Sequence, residues 1–257
     1  MVSFNQGDFI EESILSVINQ DYPNLEFILI DGGSTDNTLN IISKYKNKID
    51  YYVTEKDFGL YHARNKGLLK ATGDYIGFLN TDDTYRKDSL LTIGRFFSDS
   101  PDVDLVYGTA ARITKEGEIT NYFGDFEFDK ENYLKYSQTI PDQSTFFRKE
   151  CLAYIGLFDT SLKFGGDTDL WKRFAKYNLK IVHINKHIGN WRIYNETLSY
   201  NLKYRWQRAL EAIRVQRRYV RTYFNYVTIK VLINYFRLVF REKKWARNLY
   251  FLFKNNK

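Results

Sequence analysis

The sequence predicts an α/β fold, a mostly parallel, doubly wound sheet flanked by helices, with a helical extension at its carboxyl end. Three observations predict it. Apolar runs of strand length alternate with segments of helical spacing over the first hundred residues. Two of those runs end directly in acidic loops, Ile30–Asp36 and Leu79–Asp83, where open α/β sheets bind ligands. After Gly189 the chain holds neither Gly nor Pro, and its apolar residues recur at helical spacing.

Met1–Phe4 reads as a strand stub. Asp8-Phe9-Ile10-Glu11 reads as a helix start with a carboxylate cap, and Ile10, Ile14, Val17 and Ile18 follow at helical spacing. Leu25–Ile30 is a continuous apolar strand suited to burial on both faces of a parallel sheet. Thr38–Tyr45 reads as a helix, Asp50–Val53 as a short strand, and Leu60–Ala71 as a helix stopped by Gly73. Tyr75–Leu79 is again a buried-type strand. This βαβαβαβ order argues for parallel pairing.

Beyond Asp104–Tyr107 the rhythm changes. Ala110–Thr114 and Ile119–Phe123 flank Lys115-Glu116-Gly117-Glu118 as a hairpin. Ser144–Arg148 reads as a strand, Asp167–Tyr177 as a helix, and Lys180–Ile184 and Ile188–Ile193 as two strands. One domain over residues 1–199 is expected, with halves at about 1–107 and 108–199, followed by a tail at 200–257.

The 257 residues are 44% hydrophobic and 18% aromatic, which excludes a mainly disordered chain. A single cysteine, Cys151, excludes a disulfide framework and a cysteine-built zinc site. No charged segment followed by an apolar core opens the chain, so no signal peptide is read. From Asn201 to Lys257, 15 Lys and Arg face 2 acidic residues, a local +13 against +7 for the whole chain. The first 200 residues therefore carry −6. An acidic body joined to a basic tail points to two environments.

Three local patterns carry chemistry. In Asp31-Gly32-Gly33-Ser34-Thr35-Asp36 a carboxylate can accept from a base or ribose while the glycines admit a ligand to the backbone. The same residues also suit a plain turn capped by Thr35 or Asp36. The spacing is not that of a dinucleotide fingerprint, so a nicotinamide cofactor is not expected. Asn80-Thr81-Asp82-Asp83 sets two adjacent carboxylates at a strand end, tolerated best around a shared cation or in water. With no His or Cys nearby, hard oxygen ligands indicate Mg²⁺ or Mn²⁺; a solvated turn is the alternative. Gly165-Gly166-Asp167-Thr168-Asp169 opens a helix with carboxylates two positions apart, which point different ways. One can face a cleft while the other caps or pairs.

Together these patterns resemble family 2 glycosyltransferases of GT-A fold, over roughly Val2 to Ser199. Val2-Ser3-Phe4-Asn5-Gln6, Ser16–Pro23 and Asp31–Asp36 follow the family's opening in order and spacing. Ala63-Arg64-Asn65-Lys66-Gly67, Ala71–Tyr75, Asn80–Asp83 and Asp167–Trp171 continue it. The resemblance implies that Asp31 holds the nucleotide base, that Asp82 contacts the ribose, and that Asp83 binds the metal. It further implies that Ser3 and Asn5 line the nucleotide pocket and that Asp167 is the catalytic base, with Asp169 structural. Arg64 and Lys66 fall on a helix expected near the donor, or are solvated helix charges. The implied activity is inverting transfer of a sugar from a nucleotide-diphosphate sugar, a UDP-sugar foremost, with Mn²⁺ or Mg²⁺ as cofactor. The first half would hold the nucleotide and the second the acceptor.

Departures from the family pattern shape the expectations. Met1 stands where the family has several apolar residues, so a shortened central strand is expected. Tyr194, in Trp191-Arg192-Ile193-Tyr194, replaces the His of an Arg-x-His pattern. The Gln-x-x-Arg-Trp motif of processive synthases is missing from its region, so addition of a single sugar to a glycan or lipid-linked acceptor is expected. A non-catalytic, nucleotide-sugar-binding scaffold protein is the alternative.

The tail completes the reading. Leu202, Trp206, Leu210, Ile213 and Val220 recur at helical spacing among Arg205, Arg208, Arg214, Arg217, Arg218 and Arg221. Within Thr222–Phe240, Lys230 and Arg237 each cost about 2.5–3.5 kcal/mol at a membrane centre, whereas each Leu, Ile, Val or Phe returns about 0.3–0.6. Lying flat on an anionic membrane is therefore expected over spanning it, at the cytoplasmic face. No nucleic-acid motif is present, so nucleic acid is not an expected partner.

Overall fold

The computed structural model describes residues 1–220 except Ser137, together with Ile229 and Ile233. Strands β1 (Val2–Ser3), β2 (Ile28–Asp31) and β3 (Tyr51–Thr54) pair in parallel in that order. A parallel bridge from Val2 to Asn80 carries the arrangement to β4 (Tyr75–Gly77). From there pairing turns antiparallel, first to β8 (Thr145–Arg148) and then to β6 (Leu105–Ile113). β9 (Ile181–Arg192) runs parallel to β6, while β5 (Thr84–Tyr85) and β7 (Ile119–Phe123) pair antiparallel with β9 and β6. Parallel pairing thus dominates the first half and mixed pairing the second, as the change of rhythm after Tyr107 predicts.

The crossovers are α1 (Ile10–Ile18), α2 (Thr38–Tyr45) and α3 (Leu60–Lys70). α4 (Ser89–Asp99) follows the Asp82–Asp83 loop. Apolar faces of α1, α2 and α4, through Ile10, Ile14, Ile41, Ile93 and Phe97, cover Leu29 and Val106 on one side of the sheet. The aromatic-rich composition is spent on the other side. There Tyr61, Phe78, Phe147, Phe158, Trp171 and Phe174 form a continuous cluster, with rings in edge and tilted contact at 5–6.5 Å. It is completed by α5 (Lys130–Tyr136), α6 (Leu152–Ile155) and α7 (Gly166–Lys176).

Three local expectations are corrected. Asp8 does not cap α1: Phe9 is the cap residue without a side-chain bond, and Gln6 O takes the amides of Phe9 and Ile10. Gly73 does not stop α3 in a left-handed turn. Instead Glu26 accepts from the amides of Thr72 (2.8 Å) and Gly73 (3.0 Å), a partner distant in sequence. Lys180–Ile184 and Ile188–Ile193 belong to one strand, because bulges opposite Gly108–Ala110 absorb the polar residues Asn185–His187.

β1 comprises Val2 and Ser3 and lies between β2 and the end of β4. Between β2 and β4 lies a cavity of about 550 Å³, lined by Ile28, Leu68, Ile76, Phe78 and Ile93 among others. The Met1 amine donates to Ile28 O at 2.7 Å, and burial pulls its pKa down to about 5.

At the carboxyl end, α8 (Arg205–Tyr219) packs on α5 and α7. Leu202 and Leu210 are exposed, while Val215 and Gln216 are buried. The apolar stretch Thr222–Phe240 lies outside the described residues, apart from Ile229 and Ile233. Among the described residues no helix is long and apolar enough to cross a membrane.

Candidate active site

The carboxyl ends of β1, β2 and β4 meet at one rim. Ser3 stands beside Asp31 in register, and Thr81 Oγ1 donates to Val2 O at 3.2 Å. Asp31 is fully buried. Its carboxylate accepts from the amides of Gly33 (3.1 Å) and Ser34 (2.9 Å) and from Ser34 Oγ (2.5 Å). The loop it shapes needs its glycines. Gly33 sits at φ +86°, and a Cβ on Gly32 would fall 2.7 Å from Asp57 Oδ2. Asn5, at φ 51°, closes the loop from β1: Asn5 N donates to Ser34 Oγ, and Asn5 Oδ1 accepts from Thr35 N, both at 2.8 Å. The Ser3 hydroxyl is buried with no hydrogen-bond partner among the described residues. Asp31, Ser3 and Asn5 are therefore one structural unit at the rim.

Asp82 and Asp83 follow β4. Asp83 is buried, accepting from Arg192 N at 3.0 Å through Oδ1 and from Asn80 Nδ2 at 3.1 Å through Oδ2. Burial, then the charge of Asp82, pushes its pKa well above the carboxylate range. Burial also raises that of Asp82. Tyr194 Oη lies 3.2 Å from Asp82 Oδ2 and 3.3 Å from Gln6 Oε1, so Tyr194 reaches the paired carboxylates directly. Arg192 is buried and braces the loop from behind. Its Nε donates to Asp82 O (3.0 Å), Nη1 to Lys115 O (2.7 Å), and Nη2 to Glu12 Oε2 (2.5 Å).

Arg64 is not a solvated helix charge. It is 3% exposed, lies 4.9 Å from the Phe78 ring centre, and donates to both oxygens of Asp142 and to Asn80 Oδ1 (3.0 Å). Lys66 differs, pairing with Glu55 at 2.8 Å at the surface. Asp142, in a short turn before β8, is the site residue that the sequence reading missed. Its charge raises the pKa of both Asp83 and Asp167, so all three carboxylates share one electrostatic neighbourhood. No local motif marks Asp142; only the buried Arg64, 78 positions away, singles it out.

Asp167 opens α7 and accepts from Thr168 N at 2.7 Å, with Tyr61 Oη at 3.5 Å. Burial, then the charge of Asp142, raises its pKa to about 6. Gly166 permits this contact, since a Cβ there would lie 2.7 Å from the Tyr61 ring. Asp169 points the other way, as its two-residue offset requires. It is buried between Arg173 (3.2 Å) and Arg218 (2.9 Å), a structural position.

The donor set at Asp82–Asp83 is oxygen only and suits a hard divalent cation. Adjacent carboxylates with raised pKa values, Asp83 buried and Asp82 half-buried, are the observation in favour, because a cation would relieve their repulsion. Among the described residues no group of three or more acidic, His or Cys side chains converges on a metal position. Asp82 and Asp83 are the side chains that would hold such a cation.

The fold, an open α/β sheet with carboxylates gathered at the strand ends, is of GT-A type. Solved structures share it. TarS 1-349 of S. aureus, in complex with UDP-GlcNAc, has a TM-score of 0.68 at 20% identity, over 83% of this chain and 63% of that one. Mannosyltransferase PcManGT from Pyrobaculum calidifontis, in complex with GDP-Man and Mn²⁺, has 0.62 at 20%, over 87% and 64%. At these identities the likeness is one of fold.

The chain belongs to glycosyl transferase family 2, whose sequence profile matches residues 1–153. It is 40% identical over 91 residues to a putative teichuronic acid biosynthesis glycosyltransferase, TuaG, of Bacillus subtilis, covering 34% of this chain and 36% of that one. It is 30% identical over 158 residues to a PGL/p-HBAD biosynthesis glycosyltransferase of Mycobacterium bovis, covering 60% and 59%. The chain thus matches about a third to three-fifths of the length of these curated relatives.

Proposed function

We propose that this chain is an inverting, metal-dependent glycosyltransferase that adds a single sugar from a nucleotide-diphosphate donor to a glycan or lipid-linked acceptor of the cell surface. The carrying observation is the common electrostatic neighbourhood of Asp83, Asp142 and Asp167 around Arg64 at the strand ends. Relatives named for teichuronic acid and PGL/p-HBAD biosynthesis support the acceptor class. Fold neighbours holding UDP-GlcNAc and GDP-Man support the donor class.

In this reading Asp31, Ser3 and Asn5 bind the nucleoside, Asp82 the ribose, and Asp83 holds the cation. A bound divalent cation neutralises charge developing on the leaving diphosphate. Asp167 takes the proton of the acceptor hydroxyl as that oxygen attacks the anomeric carbon. A pKa of about 6 leaves it ionised yet basic near neutral pH. One displacement with one base inverts the anomeric centre through an oxocarbenium-like transition state.

A thermal-shift screen of UDP-sugars and GDP-mannose, with Mn²⁺ and with Mg²⁺, tests the donor half. At least one donor is expected to stabilise the wild-type chain only with metal, and Asp83→Ala is expected to lose that metal dependence. Equal, metal-independent stabilisation of both proteins would remove the cation from Asp83.

Residence on an anionic membrane surface belongs to the same proposal. The exposed Leu202, Leu210, Lys203 and Arg214 on or beside α8 support it. Leu202→Glu with Leu210→Glu should weaken binding to phosphatidylglycerol vesicles; unchanged binding excludes this face.

A further inference from the structure

A concentrated polar contact outside the rim lies between α8 and the loop that delivers Asp167. Glu211 accepts three successive backbone N–H groups: Lys163 (3.0 Å to each oxygen), Phe164 (2.8 Å) and Gly165 (3.3 Å). Gly165 is the cap residue of α7, and no side chain of the loop itself caps that helix. The carboxylate arrives from an element 46 residues further on and satisfies donors that the turn leaves open.

The neighbouring turns of α8 address the same segment. Arg214 donates to Ser161 Oγ at 3.0 Å. Val215, one turn after Glu211, is buried, and a Cβ on Gly165 would meet it at 3.4 Å. Arg218 bridges Asp159 (2.6 Å) and Asp169 (2.9 Å). Residues 211, 214, 215 and 218 lie on one helical face. The segment they hold contains Gly165-Gly166, the most permissive backbone next to Asp167. All of this lies beyond residues 1–153, the part that the family profile matches.

We infer that Glu211 is a positioning residue for sugar transfer: its carboxylate clamps the Lys163–Gly165 backbone and thereby aims Asp167 at the acceptor hydroxyl. The inference rests on the reading of Asp167 as the base. It assigns α8 to the catalytic unit. Nucleotide binding, built on β1, β2 and β4, does not pass through this clamp, so its loss acts on turnover and spares donor affinity.

The test uses the full chain with Glu211→Ala and Glu211→Gln beside Asp167→Asn. Hydrogen–deuterium exchange over residues 163–168, affinity for UDP with Mn²⁺, and nucleotide release from a panel of UDP-sugars and GDP-mannose are measured. Exchange at 163–168 should quicken in the Glu211 variants, and kcat should fall by about 10- to 100-fold in Glu211→Ala. Glu211→Gln, which keeps an acceptor oxygen, should lie between Glu211→Ala and the wild type. UDP affinity and donor KM should stay within about twofold, since the nucleotide site is untouched. Unchanged exchange in both variants, or quickened exchange with unchanged kcat, overturns the inference. An equal loss of UDP affinity and turnover assigns Glu211 a general structural role and also overturns it. Full turnover in Asp167→Asn sinks the base assignment and this inference with it. It is told apart from failure of the clamp by exchange that still quickens in the Glu211 variants.

Discussion

Replacing Asp167 by Asn should stabilise the protein while removing its activity. Burial and the charge of Asp142 raise the carboxyl from 3.8 to about 6, so the folded chain binds this proton more tightly than the unfolded chain. Its contribution to stability is therefore most favourable below about pH 4 and is lost as pH rises to about 6. A shift of about two units, at about 1.4 kcal/mol each, makes the ionised group cost about 3 kcal/mol above that range. Asparagine keeps an oxygen for the Thr168 amide and carries no charge. Asp167→Asn should then gain about 3 kcal/mol at pH 8 and about half of that at pH 5. For a domain of this size the gain at pH 8 corresponds to a Tm rise of about 6–12 °C. Scanning calorimetry across pH 5–8 measures it. In parallel, nucleotide release in the variant should fall by about 10²-fold or more. The wild-type rate should decline as pH drops through about 6, because the base must be ionised. A stability gain over the wild type that is no larger at pH 8 than at pH 5 would refute the buried-charge argument; near-normal turnover in the variant would refute the base.

Two further substitutions probe the architecture. Asp142→Ala leaves the buried Arg64 without its forked partner and should cost about 3–5 kcal/mol, read as a fall in denaturant midpoint. A loss under 1 kcal/mol would mean that the pair is solvated. Gly67→Ala, inside α3, places a methyl 3.6 Å from Ile30, an ordinary contact beside the cavity between β2 and β4. It should raise stability by about 1 kcal/mol, and a lower Tm would show that the space there is already filled.

Much of the site was legible as loops. Asp31–Asp36, Asn80–Asp83 and Gly165–Asp169 each follow a recognisable element end, because strand ends, glycines and acidic residues leave local marks. The rest had no local mark. Asp142 sits in an unremarkable turn and becomes a site residue only because Arg64 is buried against it. In sequence Tyr194 is a departure from the family pattern, whereas in the fold its hydroxyl lies 3.2 Å from Asp82. Glu211 was an ordinary tail residue until its oxygens met three amides 46 to 48 positions away.

Sequence alone determined the alternation of strands and helices, their order, and the loops bearing the carboxylates, since periodicity and turn chemistry act over a few neighbouring residues. Tertiary structure decided which carboxylates share a field, which are buried, and which helix holds the loop of Asp167. Those properties depend on distance through space and exclusion of water, and both arise only when segments far apart in the chain are packed together.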